Sequence, residues 1–278
     1  MNAIEAKGIS KKYRKGGFSL DDVSFTLPSG CVMGLVGRNG AGKTTLIRIL
    51  LDMIPMDSGS FTLLEEKDLV KAKDDVGAVF DEILLSESWK PGKIGLWAKD
   101  VWTNWDEELY ISLLGKYDVP KDLRIQKLSK GQKMKLQLSM ALAHHPKLLV
   151  LDEATSGLDP VVRDEVLDMI NEFTRDEEHS VLISSHITGD LEKVCDYISF
   201  MKEGKLVFTE EKDRILEEYG VLKCTKEVLE GLDPEAIVQK KESVYGVEAV
   251  VKRDMIPQSM ETLPATLEEI FVSMMKEE

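Results

Sequence analysis

Apolar and polar positions change rhythm several times along this chain. In the first 65 residues, short apolar runs are broken by Gly and Asp. Phe18 to Leu20, Val23 to Phe25 and Leu27 predict a half-buried strand pair before a Pro28-Ser29-Gly30 turn. Residues 31–36 form a nearly continuous apolar run, the pattern of a parallel strand covered on both faces. Leu46, Ile47, Leu50 and Leu51 then fall at helical spacing, in a helix opening near Lys43. From 86 to about 145, helical patterns replace the strands. Strand character returns at 148–151, 180–184 and 197–200, with a helix over 161–175 opened by Pro160. This alternation predicts an α/β fold on a mainly parallel sheet, with an inserted helical subdomain. The predicted organisation is a main domain over 1–215, its helical subdomain at about 86–145, and a C-terminal extension over 216–278. In the extension, 220–224 and 246–251 read as short strands and 267–275 as a helix.

Composition narrows the function. At 278 residues the length suits one or two domains, and 43% hydrophobic residues suffice for a real core. The chain has 36 basic against 50 acidic residues, net −14, which argues against a protein built chiefly to grip nucleic-acid phosphate. A small basic nucleotide site remains compatible. The longest uncharged stretch is 15 residues, 23–37, and contains Pro28 and Gly30. A spanning helix needs about 20 apolar residues, so none is predicted. The opening residues show no apolar region of a secretory signal. Cys31, Cys195 and Cys224 are widely spaced and form no metal or disulfide pattern, which fits a reducing cytosol.

Two motifs carry chemistry. Gly37-Arg38-Asn39-Gly40-Ala41-Gly42-Lys43-Thr44 fits the phosphate-loop pattern at every fixed position, between a buried strand and a helix start. Its glycines let backbone N–H groups turn inward, where the helix dipole adds positive potential. Lys43 would reach β- and γ-phosphates, Thr44 would bind Mg²⁺, and Asn39 to Thr45 would cradle the ligand. The second motif is a buried strand ending in Asp152-Glu153. Ligands of open α/β sheets bind beyond the carboxyl ends of the strands. Asp152 would hold Mg²⁺ through water, and Glu153 would orient or deprotonate an attacking water.

Weaker segments choose among nucleotide-binding proteins. Leu128-Ser129-Lys130-Gly131-Gln132 precedes an apolar-striped helix and also reads simply as a helix N-cap at Ser129. Ser156-Gly157-Leu158-Asp159 follows the strand carboxylates, and His186 closes the strand near 180–185. In order and spacing, residues 1 to about 215 resemble the nucleotide-binding subunits of ABC transporters. The resemblance implies a P-loop NTPase with a RecA-like core and an antiparallel β subdomain. It also implies ATP and Mg²⁺ as ligands, with Glu153 as catalytic base and His186 at the γ-phosphate. Ser129, Gly131 and Gln132 belong to the signature, which faces ATP bound by a second ATPase subunit, a copy or a paralogue. Asp159 links the two sites, and Tyr13, in Lys11-Lys12-Tyr13-Arg14, matches the adenine-stacking aromatic, a position equally compatible with packing. The implied partner is an integral-membrane permease, which places the chain on the cytoplasmic face of the membrane.

The sequence departs from the family pattern twice. Lys130 stands at the third signature position, usually Gly. Asp81, followed by Glu82, stands where the family has a metal-reaching Gln, and its carboxylate is expected to help organise the metal. All four tryptophans lie between Trp89 and Trp105, with Ile94, Trp97, Val101 and Trp105 at helical spacing. They read either as the core of the helical subdomain or, Trp89 above all, as part of a groove for a permease helix. The acidic tail, ending Ala265-Thr266-Leu267-Glu268-Glu269-Ile270-Phe271, and the stretch from Glu87 to Glu107 resemble ATPases of peptide and antibiotic export or immunity. The expected function is therefore an exporter ATPase. The alternatives are a soluble ABC ATPase acting on ribosomes or DNA, whose second cassette or long coiled coil is missing here, and a switch GTPase, whose N-K-x-D motif is missing.

Overall fold

The computed structural model describes residues 1–13, 17–243 and 246–276. Arg14, at the end of the segment around Tyr13, lies outside the described residues. The chain divides into two compact units, Met1–Thr209 and Glu210–Glu278.

In chain order the first unit contains β1 (Asn2–Lys12), β2 (Ser19–Pro28), β3 (Val32–Val36), α1 (Lys43–Leu50), β4 (Ser58–Leu63), α2 (Leu69–Ala72), β5 (Val76–Phe80), α3 (Gly95–Ala98), α4 (Glu107–Lys116), α5 (Lys130–Leu142), β6 (Leu148–Asp152), α6 (Pro160–Phe173), β7 (Ser180–Ser185), α7 (Thr188–Val194), β8 (Tyr197–Lys202) and most of β9 (Lys205–Glu211). Six strands form one sheet in the order β5-β6-β7-β3-β8-β9, parallel from β5 to β8. Every residue of β3, β6 and β7 is buried, which is why β3 and most of β6 read as apolar runs, while β7 carries Val181 to Ile183 between buried serines. A second, antiparallel sheet runs β2-β1-β4. The predicted strand pair before Pro28 is instead the single strand β2, whose hydrogen-bonded partners come from β1. Both sheets share a core in which Ile4, Leu20 and Leu27 meet Met33, Leu46 and Leu148.

The helical insertion has its own core, including Ile94, Tyr110, Leu114, Leu136 and Met140. It is less helical than its pattern predicts. The stripe from Ile94 to Trp105 does not lie on one helix, because α3 is a single turn and Asp106 starts a new helix by accepting from Leu109 N at 2.8 Å. The tryptophan rings form a chain instead: Trp89–Trp97 at 5.8 Å, Trp97–Trp102 at 5.6 Å and Trp102–Trp105 at 5.9 Å. Trp102 also stacks on His144 at 5.0 Å.

Helix α5 fastens the insertion to the edge strand β5, running antiparallel to it. At one end the Gln137 side chain donates to Phe80 O at 3.0 Å and accepts from Phe80 N at 3.4 Å. Beyond the other end, His144 Nε2 lies 3.3 Å from Val76 O. The approach is close enough that a Cβ on Gly77 would sit 3.1 Å from Ala141 O and 2.6 Å from a Leu149 methyl.

The second unit contains α8 (Lys212–Glu218), β10 (Tyr219–Cys224), α9 (Lys226–Glu230), β11 (Ile237–Ser243), β12 (Gly246–Lys252), β13 (Leu263–Pro264) and α10 (Leu267–Lys276). Its sheet order is β11-β12-β10-β13, all antiparallel. Leu222, Leu229, Val247, Ala249 and Val251 form a core of its own. No described helix of the chain is long and apolar enough to cross a membrane.

His144 makes the fold sensitive to acid. Burial pushes its pKa below the ordinary histidine value, and the two backbone carbonyls beside its ring nitrogens, with Asp74 and Asp75, favour the charged ring and only partly oppose this. The folded chain therefore binds this proton less readily than the unfolded one. The stability linked to neutral His144 is complete above the unfolded pKa of about 6.5 and is lost as pH falls below it. Thermal unfolding at about pH 7.5 and about pH 5.5 should show a smaller acid-induced drop for His144→Gln than for the wild type. Equal drops would mean that His144 does not carry this dependence.

Candidate active site

The site begins at the turn between β3 and α1. Gly42 occupies the left-handed region at φ 112°, and a Cβ there would meet Leu20 and Phe18 side-chain carbons at 2.6 and 2.9 Å. Only glycine fits this junction. The first amides of an α-helix lack intrahelical acceptors. In α1 no side chain caps them and no acidic residue stands in the first turn. The helix therefore presents uncompensated positive potential to the loop.

Lys43, only 5% exposed, puts its ammonium into this loop. It donates to Gly37 O at 2.7 Å and lies 3.2 Å from Glu153 Oε1. Asn39, Gly40, Lys43, Thr44, Thr45 and Glu153 line a cavity of about 330 Å³, with Phe18 at its wall. Ala41 is buried beneath the loop, its N–H donating to Arg38 O.

The strand-end carboxylates stand opposite. Thr44 Oγ1 donates to Asp152 Oδ1 at 3.2 Å, and Ser184 Oγ donates to the same oxygen at 2.7 Å. The sheet register sets Ser184 of β7 beside Asp152 of β6. Glu153 adopts φ 54°, a left-handed conformation that costs a non-glycine residue roughly 1–3 kcal/mol. Its N–H is held by Ser184 O at 3.1 Å and Ser184 Oγ at 3.0 Å. This turn aims the carboxylate back into the site, where Oε1 meets Lys43 and Oε2 lies 2.6 Å from His186 Nδ1. Lys43, Thr44, Asp152, Glu153 and His186 are thus brought together.

Thr44 and Asp152 offer hard oxygen donors of the kind Mg²⁺ takes, and one protein carboxylate plus phosphate oxygens is its usual arrangement. Among the described residues, no cluster of three or more His, Cys, Asp or Glu side chains could hold a metal by itself. The donor set thus fits a metal that arrives with a phosphate ligand.

The other predicted residues lie elsewhere in this chain. Ser129 and Gln132 form a capping box at the start of α5: Ser129 Oγ accepts from Gln132 N at 3.2 Å, and Gln132 Oε1 accepts from Ser129 N at 3.0 Å. Gly131 is buried, and a Cβ on it would sit 2.7 Å from a Val162 methyl, so α5 and α6 cross closely there. Asp159 caps α6, accepting from Val161 N at 3.2 Å and Val162 N at 3.1 Å. None of these four lines the cavity. Asp81 is not drawn to Thr44 and Asp152: Lys130 Nζ lies 2.6 Å from its Oδ1. The two departures from the family pattern therefore form one ion pair. Tyr13 is 39% exposed, with its ring 6.3 Å from that of Phe18, and it is Phe18 that reaches the cavity. Sequence reasoning missed Phe18 and Ser184. Phe18 stood among strand apolars, and Ser184 could be found only through the register that pairs it with Asp152.

The family model described as "ABC transporter" matches residues 20–156. ABC transporter ATP-binding protein YtrB of Bacillus subtilis is 28% identical, covering 97% of this chain and 97% of that protein. Methionine import ATP-binding protein MetN 1 of Yersinia pestis is 32% identical over 78% of this chain and 67% of its own length. The fold is that of cbiO1 from Clostridium perfringens, part of the ABC transporter complex cbiONQ, with a TM-score of 0.66 at 23% identity over 78% of this chain and 91% of that one. At 32% identity to MetN 1 over two thirds of that relative and more than three quarters of this chain, the chain belongs to the ATP-binding subunits of ABC transporters and is an ATPase.

Proposed function

We propose that this chain hydrolyses ATP between two ATPase subunits and so drives a separate membrane permease, working at the cytoplasmic face of the membrane. The observation that carries the reading is the separation of functions within one chain. Phosphate loop and Glu153 line one cavity, with Asp152 bonded to Thr44 and His186 beside Glu153, while Ser129 lies exposed at the start of α5 and is not among the lining residues. A signature of this kind serves a nucleotide held by another subunit.

Residue roles follow from the geometry. Lys43 and the first amides of α1 bind β- and γ-phosphates, and Asn39 to Thr45 wrap them. Thr44 and Asp152 hold Mg²⁺, which supplies charge neutralisation to the phosphates when bound. Lys43 and His186 lie against the two carboxylate oxygens of Glu153. A triphosphate offers Lys43 a stronger anion, which releases Glu153 to accept a proton from the attacking water. His186 then stays beside Glu153, at the γ-phosphate. Ser129, Gly131 and Gln132 face the partner's nucleotide, and Asp159 links the two sites. Tyr13, next to Phe18, stacks on the adenine. Trp89, 38% exposed, belongs to the groove that receives a permease helix.

Export as the direction rests on the tail and on Glu87 to Glu107. The cassette is shared with proteins named for methionine import, so it does not carry the direction. Counterflow of labelled peptide in vesicles containing the permease would test export, and uptake only from the outer side would refute it.

Glu153→Gln should keep ATP affinity and lose turnover by about 100-fold or more. It should also accumulate an ATP-dependent dimer on size-exclusion chromatography. A variant that hydrolyses normally, or stays monomeric in ATP, refutes the shared site. Asp81 can serve the metal only when Lys130 releases it. Both side chains are 44% exposed, and such a pair contributes only about 0.2–1 kcal/mol, so exchange is easy. Asp81→Ala should raise the Mg²⁺ concentration needed for half-maximal ATPase, whereas Lys130→Ala should not. An unchanged Mg²⁺ requirement in Asp81→Ala removes Asp81 from the metal site.

A further inference from the structure

We propose that Ser184 is a positioning residue for ATP hydrolysis, its single buried hydroxyl setting both strand-end carboxylate residues in their separate roles. The proposal rests on the assignment of Asp152 to the metal and Glu153 to the water.

A serine hydroxyl has one proton and two lone pairs. In Ser184 the proton goes to Asp152 Oδ1 at 2.7 Å, and a lone pair accepts Glu153 N–H at 3.0 Å. The residue is fully buried, so no solvent substitutes for either bond. The two bonds do different things. The first fixes the plane of the Asp152 carboxylate. Ser184 and Thr44 both address Oδ1, which leaves Oδ2 for a ligand. The second shares the Glu153 N–H with the Ser184 carbonyl, 3.1 Å away, and adds to its hold on the left-handed Glu153 backbone, and with it on the direction of the carboxylate that meets Lys43 and His186.

The neighbouring strand serines do other work. Ser180 Oγ accepts from Gly30 N, and Ser185 Oγ accepts from Ile187 N. Their bonds are to loop backbone, whereas Ser184 bonds to both carboxylate residues. Partners of metal-ligating carboxylates typically alter metal affinity or activity by about 10–100-fold when removed.

The test uses the full chain with Ser184→Ala and Ser184→Thr. Mn²⁺ binding in the presence of ADP is followed by electron paramagnetic resonance, ADP affinity in EDTA by calorimetry, and ATPase by Mg²⁺ titration. Ser184→Ala should weaken Mn²⁺ binding about tenfold and slow turnover at least as much, with metal-free ADP affinity within about twofold of wild type. Ser184→Thr, which keeps the hydroxyl, should restore both. Wild-type Mn²⁺ affinity and turnover in Ser184→Ala overturn the proposal. Equal weakening of ADP with and without metal also overturns it, because that is the mark of a packing role. If Ser184→Ala does not fold, Ser184→Thr decides: wild-type Mn²⁺ affinity supports the proposal and weakened affinity in a folded protein overturns it. A wild-type chain that binds no Mn²⁺ with ADP and turns over no ATP would instead refute the site assignment, and the proposal with it.

Discussion

A lysine ammonium that is almost wholly buried must have a counter-charge, and the site is arranged around that need. Lys43 sits at the uncapped start of α1, where the helix dipole already raises the potential. Without an anion nearby, its burial would be strongly unfavourable. Glu153 supplies the charge and Gly37 O a further acceptor. The proposed base and the phosphate-loop lysine are thereby direct neighbours.

The sheet makes this arrangement possible because its strands deliver side chains at a common edge. β3 leads into the phosphate loop, β6 ends at Asp152, and β7 carries Ser184 beside it. The outer parallel strand, β5, ends at Phe80, in register with Asp152. That end is also where α5 fastens, through Gln137 on Phe80 and Lys130 on Asp81. The exposed signature and the strand ends of the catalytic core are therefore mechanically adjacent through one helix. A half-exposed ion pair at that junction is weak enough to exchange, whereas the buried Gln137 and His144 contacts are not.

Much of this was legible in the residues themselves. The loop Gly37 to Thr44, the run ending in Asp152-Glu153, and the strands β3, β6, β7 and β8 all declare themselves through local pattern. A strand buried on both faces is mainly apolar, its few polar groups bonded inside as the β7 serines are, and a phosphate loop is glycine-rich. Periodicity failed in the insertion. Asp106, by capping α4, cut the apparent Ile94-to-Trp105 stripe, and the rings packed in a chain, edge to face up to Trp102 and stacked at Trp105, instead of along one helix. It also missed β1 as the partner of β2, and β11, whose residues are mostly exposed.

What the sequence by itself determined was therefore the chemistry at each strand end: which groups are available, in which order, on which kind of element. Tertiary structure alone decided which of them meet. Ser184 acts on Asp152 because two strands pair in one register, Lys130 reaches Asp81 because α5 lies along β5, and Phe18 rather than Tyr13 walls the cavity. Local pattern reports how each segment is buried, but contacts between segments distant in the chain depend on register and packing, which no single segment encodes.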